Sequence, residues 1–166
     1  MKGLYWGRFN PPHKGHIKLV KKILSEINSL IIAVGSARHK NTKRDPFDGK
    51  ERAKMLKAYL KEEGFDMKKI KIVPVPNGKS MYSSVKNVFR LCPKFDVMYA
   101  DKETIIKLVN KKVEIRKIKR TGKISSTKIR DAIAKDNKWE NLTGKSTAKI
   151  IRKLNGIERI KESYGK

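Results

Sequence analysis

Short apolar runs alternate with amphipathic helical segments along most of this chain, and this alternation limits its fold more than any other feature. Each run has the length of a β-strand, and apolar residues recur at three- and four-residue spacing in the segments between them. The five predicted strands are residues 3–7, 30–34, 71–75, 95–99 and 113–118. Because right-handed crossovers place the helices on both faces of such a sheet, we predict an α/β protein with a doubly wound, Rossmann-like, five-stranded parallel sheet.

Predicted helices connect the strands and continue to the last residues of the sequence. Those between the strands contain residues 17–27, 49–63, 85–91 and 102–110. Three more follow the sheet and form a helical C-terminal segment: one begins at residues 125–127, a second contains residues 150–154, and a third contains residues 157–160. Since no internal repeat or long linker divides the 166 residues, we predict one domain, with a Rossmann-like core at 1–118 and a helical part at 119–166.

Positive charge is high, because 42 Lys and Arg against 16 Asp and Glu give a formal net charge of +26. Such a charge attracts nucleotides, phosphorylated metabolites and nucleic acid alike. Most of the basic residues are lysines spread over nearly every segment, whereas an RNA-binding face would need clustered arginines and exposed aromatic residues. A nucleic-acid-binding module is therefore only a second alternative for the function.

Several classes of protein are disfavoured by what the sequence contains. Cys92 is the single cysteine, which excludes an internal disulfide, and we expect it to be a small buried residue without a reactive role. No apolar run approaches the roughly 18 residues that cross a bilayer, so we expect no membrane association. The first residues lack the apolar region of a signal peptide, and the expected location is the cytoplasm.

The loop between the first strand and the first helix carries the strongest candidate chemistry. His13 and His16 lie at the start of this helix, with Gly15 between them. Phosphates bind at this edge of a doubly wound sheet, where the helix N-terminus adds N–H donors and positive potential. Imidazole donors there would stabilise the charge that builds on a phosphorus under attack, with no need for a covalent intermediate.

Two other interpretations of these histidines are weaker. A zinc site would need further soft ligands, and His39 and Cys92 stand at no recognised spacing from the pair, so we predict no protein-held metal. Histidines without a role are disfavoured because two of the chain's three fall within four residues at the predicted ligand edge.

A second candidate phosphate site lies at the start of the helix after the fifth strand. Ser125, Ser126 and Thr127 are good N-cap residues, and capping alone would account for them. Capping and phosphate binding are compatible, because the same helix end has N–H groups to offer. Arg130, one turn further on, and Arg8 in the first loop could each pair with a phosphate in bidentate fashion, although a surface salt bridge would also explain Arg8.

The residues at these two sites resemble the paired signatures of the HxGH nucleotidyltransferase superfamily. Residues 7–16, Gly-Arg-Phe-Asn-Pro-Pro-His-Lys-Gly-His, are most similar to the archaeal-type nicotinamide mononucleotide (NMN) adenylyltransferases. Residues 124–130 resemble the second signature, ISSTxxR. The likeness continues in residues 35–37, 44–47, 51–52 and 155–160 and so covers almost the whole chain.

This resemblance implies an enzyme that transfers AMP from ATP to a phosphate acceptor and releases pyrophosphate, assisted by Mg²⁺. It assigns His13 and His16 to the triphosphate, with His16 closest to the α-phosphate, and makes Arg130 a third catalytic residue. The nucleotide-binding residues that it implies are Gly7, Arg8, Phe9, Arg44, Ser125, Ser126 and Thr127. For Arg44, which matches a basic position in the family's mobile loop, a solvated loop arginine is the alternative. The family often forms closed oligomers, and the predicted C-terminal helices would permit a homo-oligomer.

The acceptor side departs from the family pattern. The archaeal NMN enzymes normally have a Trp after the third strand that stacks on nicotinamide, but here residues 77–84 contain Tyr82 as their only aromatic residue. Ala100-Asp101-Lys102 replaces the family's Ser-Gly-Asn after the fourth strand. Tyr82 and Trp6 are the candidate substrate contacts.

The acceptor therefore has more than one candidate. NMN, giving NAD, is the first hypothesis, and Asn10 favours it because related flavin and glycerol-phosphate enzymes tend to have Asp there. The alternative keeps the chemistry but uses phosphopantetheine, FMN or a phosphorylated alcohol as acceptor, or CTP as the nucleotide.

Overall fold

The computed structural model describes residues 1–109, 112–119 and 122–165. Five parallel strands form its single described sheet, in the order β3-β2-β1-β4-β5. Their bounds are β1 (Lys2–Gly7), β2 (Ser29–Val34), β3 (Ile70–Pro74), β4 (Val97–Ala100) and β5 (Glu114–Lys117). The chain crosses from one side of β1 to the other between β3 and β4, so the switch point of the sheet lies between β1 and β4. The predicted doubly wound sheet is confirmed.

Helices cover both faces of the sheet and then follow it. Their bounds are α1 (Lys14–Leu24), α2 (Gly49–Glu62), α3 (Met81–Leu91), α4 (Glu103–Val109), α5 (Ser126–Ala134), α6 (Lys145–Lys153) and α7 (Gly156–Gly165). The predicted end of the fourth helix at residue 110 lies outside the described residues. Two 3₁₀ turns, Met67–Lys69 and Glu140–Leu142, are too short for a periodic pattern to reveal. In the described ranges, no helix has the length and apolar content needed to cross a membrane.

The apolar side chains form three clusters. The first lies between the sheet and α1 and α2, the second between the sheet and α3 and α4, and the third among α5, α6 and α7. Because side chains alternate along a strand, Leu4 of β1 belongs to the second cluster and Tyr5 to the first. Cys92 is buried in the second cluster, and burial raises the pKa of its thiol to about 11, so it stays protonated near neutral pH.

Helix α6 obtains its N-terminal cap from another helix. Its own N-cap residue is Gly144, which has no side chain to offer. The Glu62 carboxylate, at the end of α2, accepts the backbone N–H of Lys145 at 2.9 Å and that of Ser146 at 2.7 Å. Burial raises the pKa of Glu62, but the hydrogen bonds from Ser146 and Lys145 together outweigh it, so this pKa lies below its usual value.

We expect Glu62→Gln to lower the free energy of unfolding at neutral pH by about 0.5–1 kcal/mol, because the amide offers one acceptor oxygen and no charge to this helix end. The folded-state pKa is the lower one, so the stabilisation is present above the unfolded value of 4.5 and is lost as the pH falls through the folded value. Urea unfolding near pH 7 and near pH 3 measures this. The matched control is Glu63→Gln, one residue along, which should match the unsubstituted protein. Equal stability of Glu62→Gln at pH 7 would contradict the proposed cap.

Candidate active site

A cleft of about 1170 Å³ opens at the carboxyl edge of the sheet. It is bounded by the ends of the central strands and by the N-terminal ends of α1, α3 and α5. Every predicted site residue except Tyr82 lines it: Trp6, Gly7, Arg8, Phe9, His13, His16, Arg44, Ser125, Ser126, Thr127 and Arg130. Tyr82 is instead 52% exposed, with the Lys86 Nζ 4.8 Å from the centre of its ring.

The two histidines build the N-terminal end of α1 with their own side chains. His13 is the N-cap residue, and its Nδ1 accepts the N–H of Gly15 at 3.1 Å. His16 is the third residue of the helix, and its Nδ1 accepts the N–H of His13 at 3.1 Å. The two ring centres lie 3.7 Å apart. Because each Nδ1 accepts a hydrogen bond, the neutral rings carry their protons on Nε2, the nitrogen suited to donate to a phosphate oxygen.

Phe9 lies at the cleft, but its ring is buried and packs against the ring of His16. It has a φ of 52°, and its side chain is 1% exposed. The Phe9 ring lies 4.7 Å from that of His16 and packs edge-on against Tyr5. A Cβ on Gly7 would come within 2.8 Å of the Phe9 ring, so glycine is required for the loop to fold back in this way. Gly7 and Phe9 thus shape the loop that holds the histidines.

The loop after β2 brings a carboxylate to the same edge of the cleft. Asp45 is 3% exposed, and its side chain accepts a hydrogen bond from the Asn10 amide at 3.2 Å. The Arg8 guanidinium lies 3.9 Å from the second carboxylate oxygen. Arg8 therefore makes the salt bridge that was the alternative to phosphate binding, yet it also lines the cleft. Arg44, next to Asp45, is exposed and lines the cleft as well.

The two sequence signatures are joined by hydrogen bonds. Ser125 is the N-cap of α5, and its hydroxyl accepts the N–H of Lys128. The Ser126 hydroxyl donates to the carbonyl of Pro11 at 2.8 Å. The Arg130 guanidinium donates to three groups: the carbonyls of Asn10 and Lys43, at 2.8 and 2.9 Å, and the Thr127 hydroxyl at 3.2 Å. Capping and site formation therefore use the same helix end, and Arg130 is fixed between the two loops.

Arg52 is a supporting residue whose role the sequence analysis missed. Its side chain is wholly buried under the loops that follow β1 and β2. Its guanidinium donates to five backbone carbonyls, those of Arg8, Gly35, Ser36, Phe47 and Asp48. Burial lowers the pKa of Arg52 to about 10, although three nearby carboxylates oppose this shift, and the group is charged at neutral pH.

One sequence signal could have identified this residue. Arg52, Met55, Leu56 and Tyr59 recur at the spacing of a single helix face, and the last three are buried apolar residues. An arginine on a buried helix face must find acceptors, because an unpaired buried charge is very costly. Loop carbonyls at the adjoining sheet edge are the acceptors within reach.

The electrostatics of the cleft favour a polyanion. Six lysines line it, against two carboxylates, Asp45 and Asp101. The six are Lys18, Lys22, Lys79, Lys102, Lys117 and Lys119. Among the residues that the structure describes, no three His, Cys, Asp or Glu side chains are grouped so as to hold a metal ion.

Comparison with known proteins agrees with this geometry. Residues 4–132 match the family described as cytidylyltransferase-like. The nicotinamide-nucleotide adenylyltransferase of Pyrobaculum arsenaticum is 39% identical over 165 residues, which cover 97% of this chain and 93% of the relative. The protein of the same name from Caldivirga maquilingensis is 38% identical, and the match covers 97% of this chain and 93% of that relative.

Among solved structures, the fold is similar to a bifunctional NMN adenylyltransferase/ADP ribose pyrophosphatase from Francisella tularensis, complexed with AMP and a manganese ion. The TM-score is 0.80 at 17% identity, and the match covers 98% of this chain and 51% of that one. This likeness supports the fold. The sequence matches, which extend over nearly the full length of both chains, show that the chain belongs to the cytidylyltransferase-like family and, within it, to the archaeal-type nicotinamide-nucleotide adenylyltransferases.

Proposed function

We propose that this protein transfers AMP from ATP to NMN, forming NAD and releasing pyrophosphate. The observation that carries the proposal is the joining of two helix N-termini, α1 with its histidine pair and α5 with Arg130, at one basic cleft. The relatives named nicotinamide-nucleotide adenylyltransferase support the choice of reaction and of acceptor.

In this reaction, a phosphate oxygen of NMN attacks the α-phosphorus of ATP. The new P–O bond forms as the bond to the bridging oxygen breaks, and the electron pair of that bond leaves with pyrophosphate. The acceptor phosphate is largely dianionic near neutral pH, so it attacks without losing a proton to the protein. The chain therefore needs to supply charge stabilisation and positioning, and a general base is unnecessary.

The histidines supply that stabilisation. We assign Nε2 of His13 and of His16 as donors to the triphosphate, with His16 closest to the α-phosphate, where negative charge increases in the transition state. Arg130 and the N-terminal end of α5, residues Ser125 to Thr127, would hold the departing pyrophosphate. Arg8 and Arg44 lie at the mouth of the cleft, where they would add further positive charge.

Mg²⁺ would bind together with ATP rather than at a site formed by protein side chains alone. This ion is usually held by one or two carboxylates together with substrate phosphates, and the carboxylates of the described cleft are Asp45 and Asp101. When bound, it neutralises charge on the phosphate oxygens. The cytoplasmic location and the homo-oligomer expected from the sequence stay predictions.

A panel of nucleotides and acceptors tests the proposal. We expect kcat/KM for pyrophosphate release with ATP and NMN to be about tenfold or more above that with CTP as the nucleotide, or with phosphopantetheine, FMN or glycerol phosphate as the acceptor. The reason is that polar groups of a site that pair with the correct substrate are left unpaired by a different one. The product is identified as NAD by chromatography, and enzyme without acceptor is the control. Turnover confined to another acceptor, or to CTP, would overturn the proposal.

A further inference from the structure

We propose that Trp6 provides the surface against which the aromatic base of the acceptor packs, and that Tyr82 does not. The inference rests on the proposed function, because it concerns the nicotinamide ring of NMN. Residues 77–84 lack the Trp that stacks on nicotinamide in the related enzymes, and Trp6 would take its place.

The position of Trp6 in the sheet suits this role. It is the last residue but one of β1, and β1 borders the switch point of the sheet. Its partner in the register with β2 is Ala33. The register of β1 with β4 pairs Tyr5 with Tyr99, so Ala100 follows opposite Trp6 on the other side. Small residues on both neighbouring strands leave room for the broad indole at this part of the sheet edge.

The indole is held in place but not enclosed. Trp6 is partly buried, packs against the cluster beneath α3 and α4, and lines the cleft. A Cβ on Gly35 would lie only 2.6 Å from its Nε1, so this glycine lets the indole lie against the backbone after β2. In the described part of the chain, no hydrogen bond holds the indole N–H. Its remaining surface is thus available to a planar ring.

Trp6 and the histidines lie on opposite faces of the sheet, so the base and the phosphate of the acceptor would contact different faces. α1, which carries the histidines, packs on one face of the sheet, whereas Trp6 shares the opposite face with Leu4. On that side, Asn77 links its amide to Ser36, accepting the Ser36 N–H at 3.2 Å and donating to the Ser36 hydroxyl at 3.0 Å. Both residues line the cleft and offer polar groups beside the indole. A nucleotide whose phosphate faces His16 can extend its base over the end of β1 toward this face.

Tyr82 has the wrong place for this task. Ser80 caps α3, which puts Tyr82 in the first turn of the helix. Met81 and Ser84, three residues apart, share the face that lines the cleft, whereas Tyr82 points away from it and is 52% exposed. Its ring is covered by the Lys86 ammonium.

The fluorescence of Trp6 tests the proposal. The other tryptophan, Trp139, is 5% exposed in the third cluster, and Trp139→Phe would leave Trp6 as the single indole. An electron-poor nicotinamide ring in contact with indole quenches its emission. We therefore expect NMN, added in the presence of a non-hydrolysable ATP analogue, to quench the Trp6 fluorescence of the Trp139→Phe variant, and we expect this quenching to saturate. The reciprocal variant, Trp6→Leu, which retains the buried Trp139, should show no saturable quenching.

Kinetics supply the second measurement. Loss of an aromatic contact should raise KM for NMN about 2- to 12-fold in Trp6→Leu, while KM for ATP stays within about twofold. Tyr82→Leu, the matched change, should leave both constants unaltered. Turnover of NMN without saturable quenching of Trp6, or a KM change in Tyr82→Leu alone, would overturn this assignment while the proposed function stands. No turnover of NMN by the unsubstituted enzyme would remove both.

Discussion

His16→Ala should lower kcat by about a hundredfold or more, with KM for ATP changed by no more than a few-fold. The expected loss follows from the position of this ring at the third residue of α1, with Nδ1 bonded to the His13 N–H and Nε2 assigned to the phosphate that is attacked. A donor that meets charge mainly in the transition state affects kcat more than substrate binding. Pyrophosphate release at saturating NMN, over a range of ATP concentrations, gives both constants.

The third histidine supplies a control for His16→Ala. His39 also lines the cleft, but its side chain is 55% exposed and lies beside Asp45. His39→Ala should retain kcat within about threefold, since a solvated group stabilises the transition state little. Thermal unfolding of His16→Ala separates a chemical loss from a folding defect. A folded His16→Ala protein with unaltered kcat would contradict the role assigned to this ring.

Arg52→Met should have the largest effect on stability, about 3–5 kcal/mol in the free energy of unfolding. The substitution leaves five backbone carbonyls without the guanidinium that they share, and each buried acceptor left unpaired is costly. For a chain of this size, the midpoint of thermal unfolding should fall by roughly 6–20 °C. Calorimetry or circular dichroism measures the shift, and failure of the variant to fold would agree with the expectation.

Two further variants identify the cause of that loss. Arg38→Met makes the same chemical change at an exposed arginine of the neighbouring loop and should alter stability by no more than about 0.5 kcal/mol. Arg52→Lys keeps the charge but loses the planar fork of donors, so it should be destabilised to an intermediate degree. Equal stability of Arg52→Met and Arg38→Met would show that the buried guanidinium does not hold the loops.

The sheet and its helices could be predicted from the sequence because local signals agree at each element. β2 is an unbroken apolar run, as expected of a strand covered on both faces, and α1 has apolar residues at helical spacing. The histidine and serine signatures also indicated the correct edge of the sheet, since parallel strands place their carboxyl ends together.

What the sequence could not show depends on contacts between distant residues. The cap that Glu62 gives to α6 joins residues more than 80 positions apart. The same holds for Arg52, whose acceptors are carbonyls and so have no side-chain identity to recognise. Tyr82 was a reasonable candidate because it lies in the segment after the third strand. Whether its ring faces the cleft or the solvent depends on the residue at which α3 begins. The first residue of a helix is difficult to predict from the sequence.

The hydrogen bonds from Ser126 and Arg130 to the carbonyls of Pro11 and Asn10 have a consequence for ligand binding. They couple the loop after β1 to the N-terminal end of α5, the two segments that we propose hold the triphosphate, so the arrangement is preorganised when folding is complete. An incoming nucleotide then loses its own freedom of motion but need not immobilise these loops, and more of the interaction free energy is expressed as affinity.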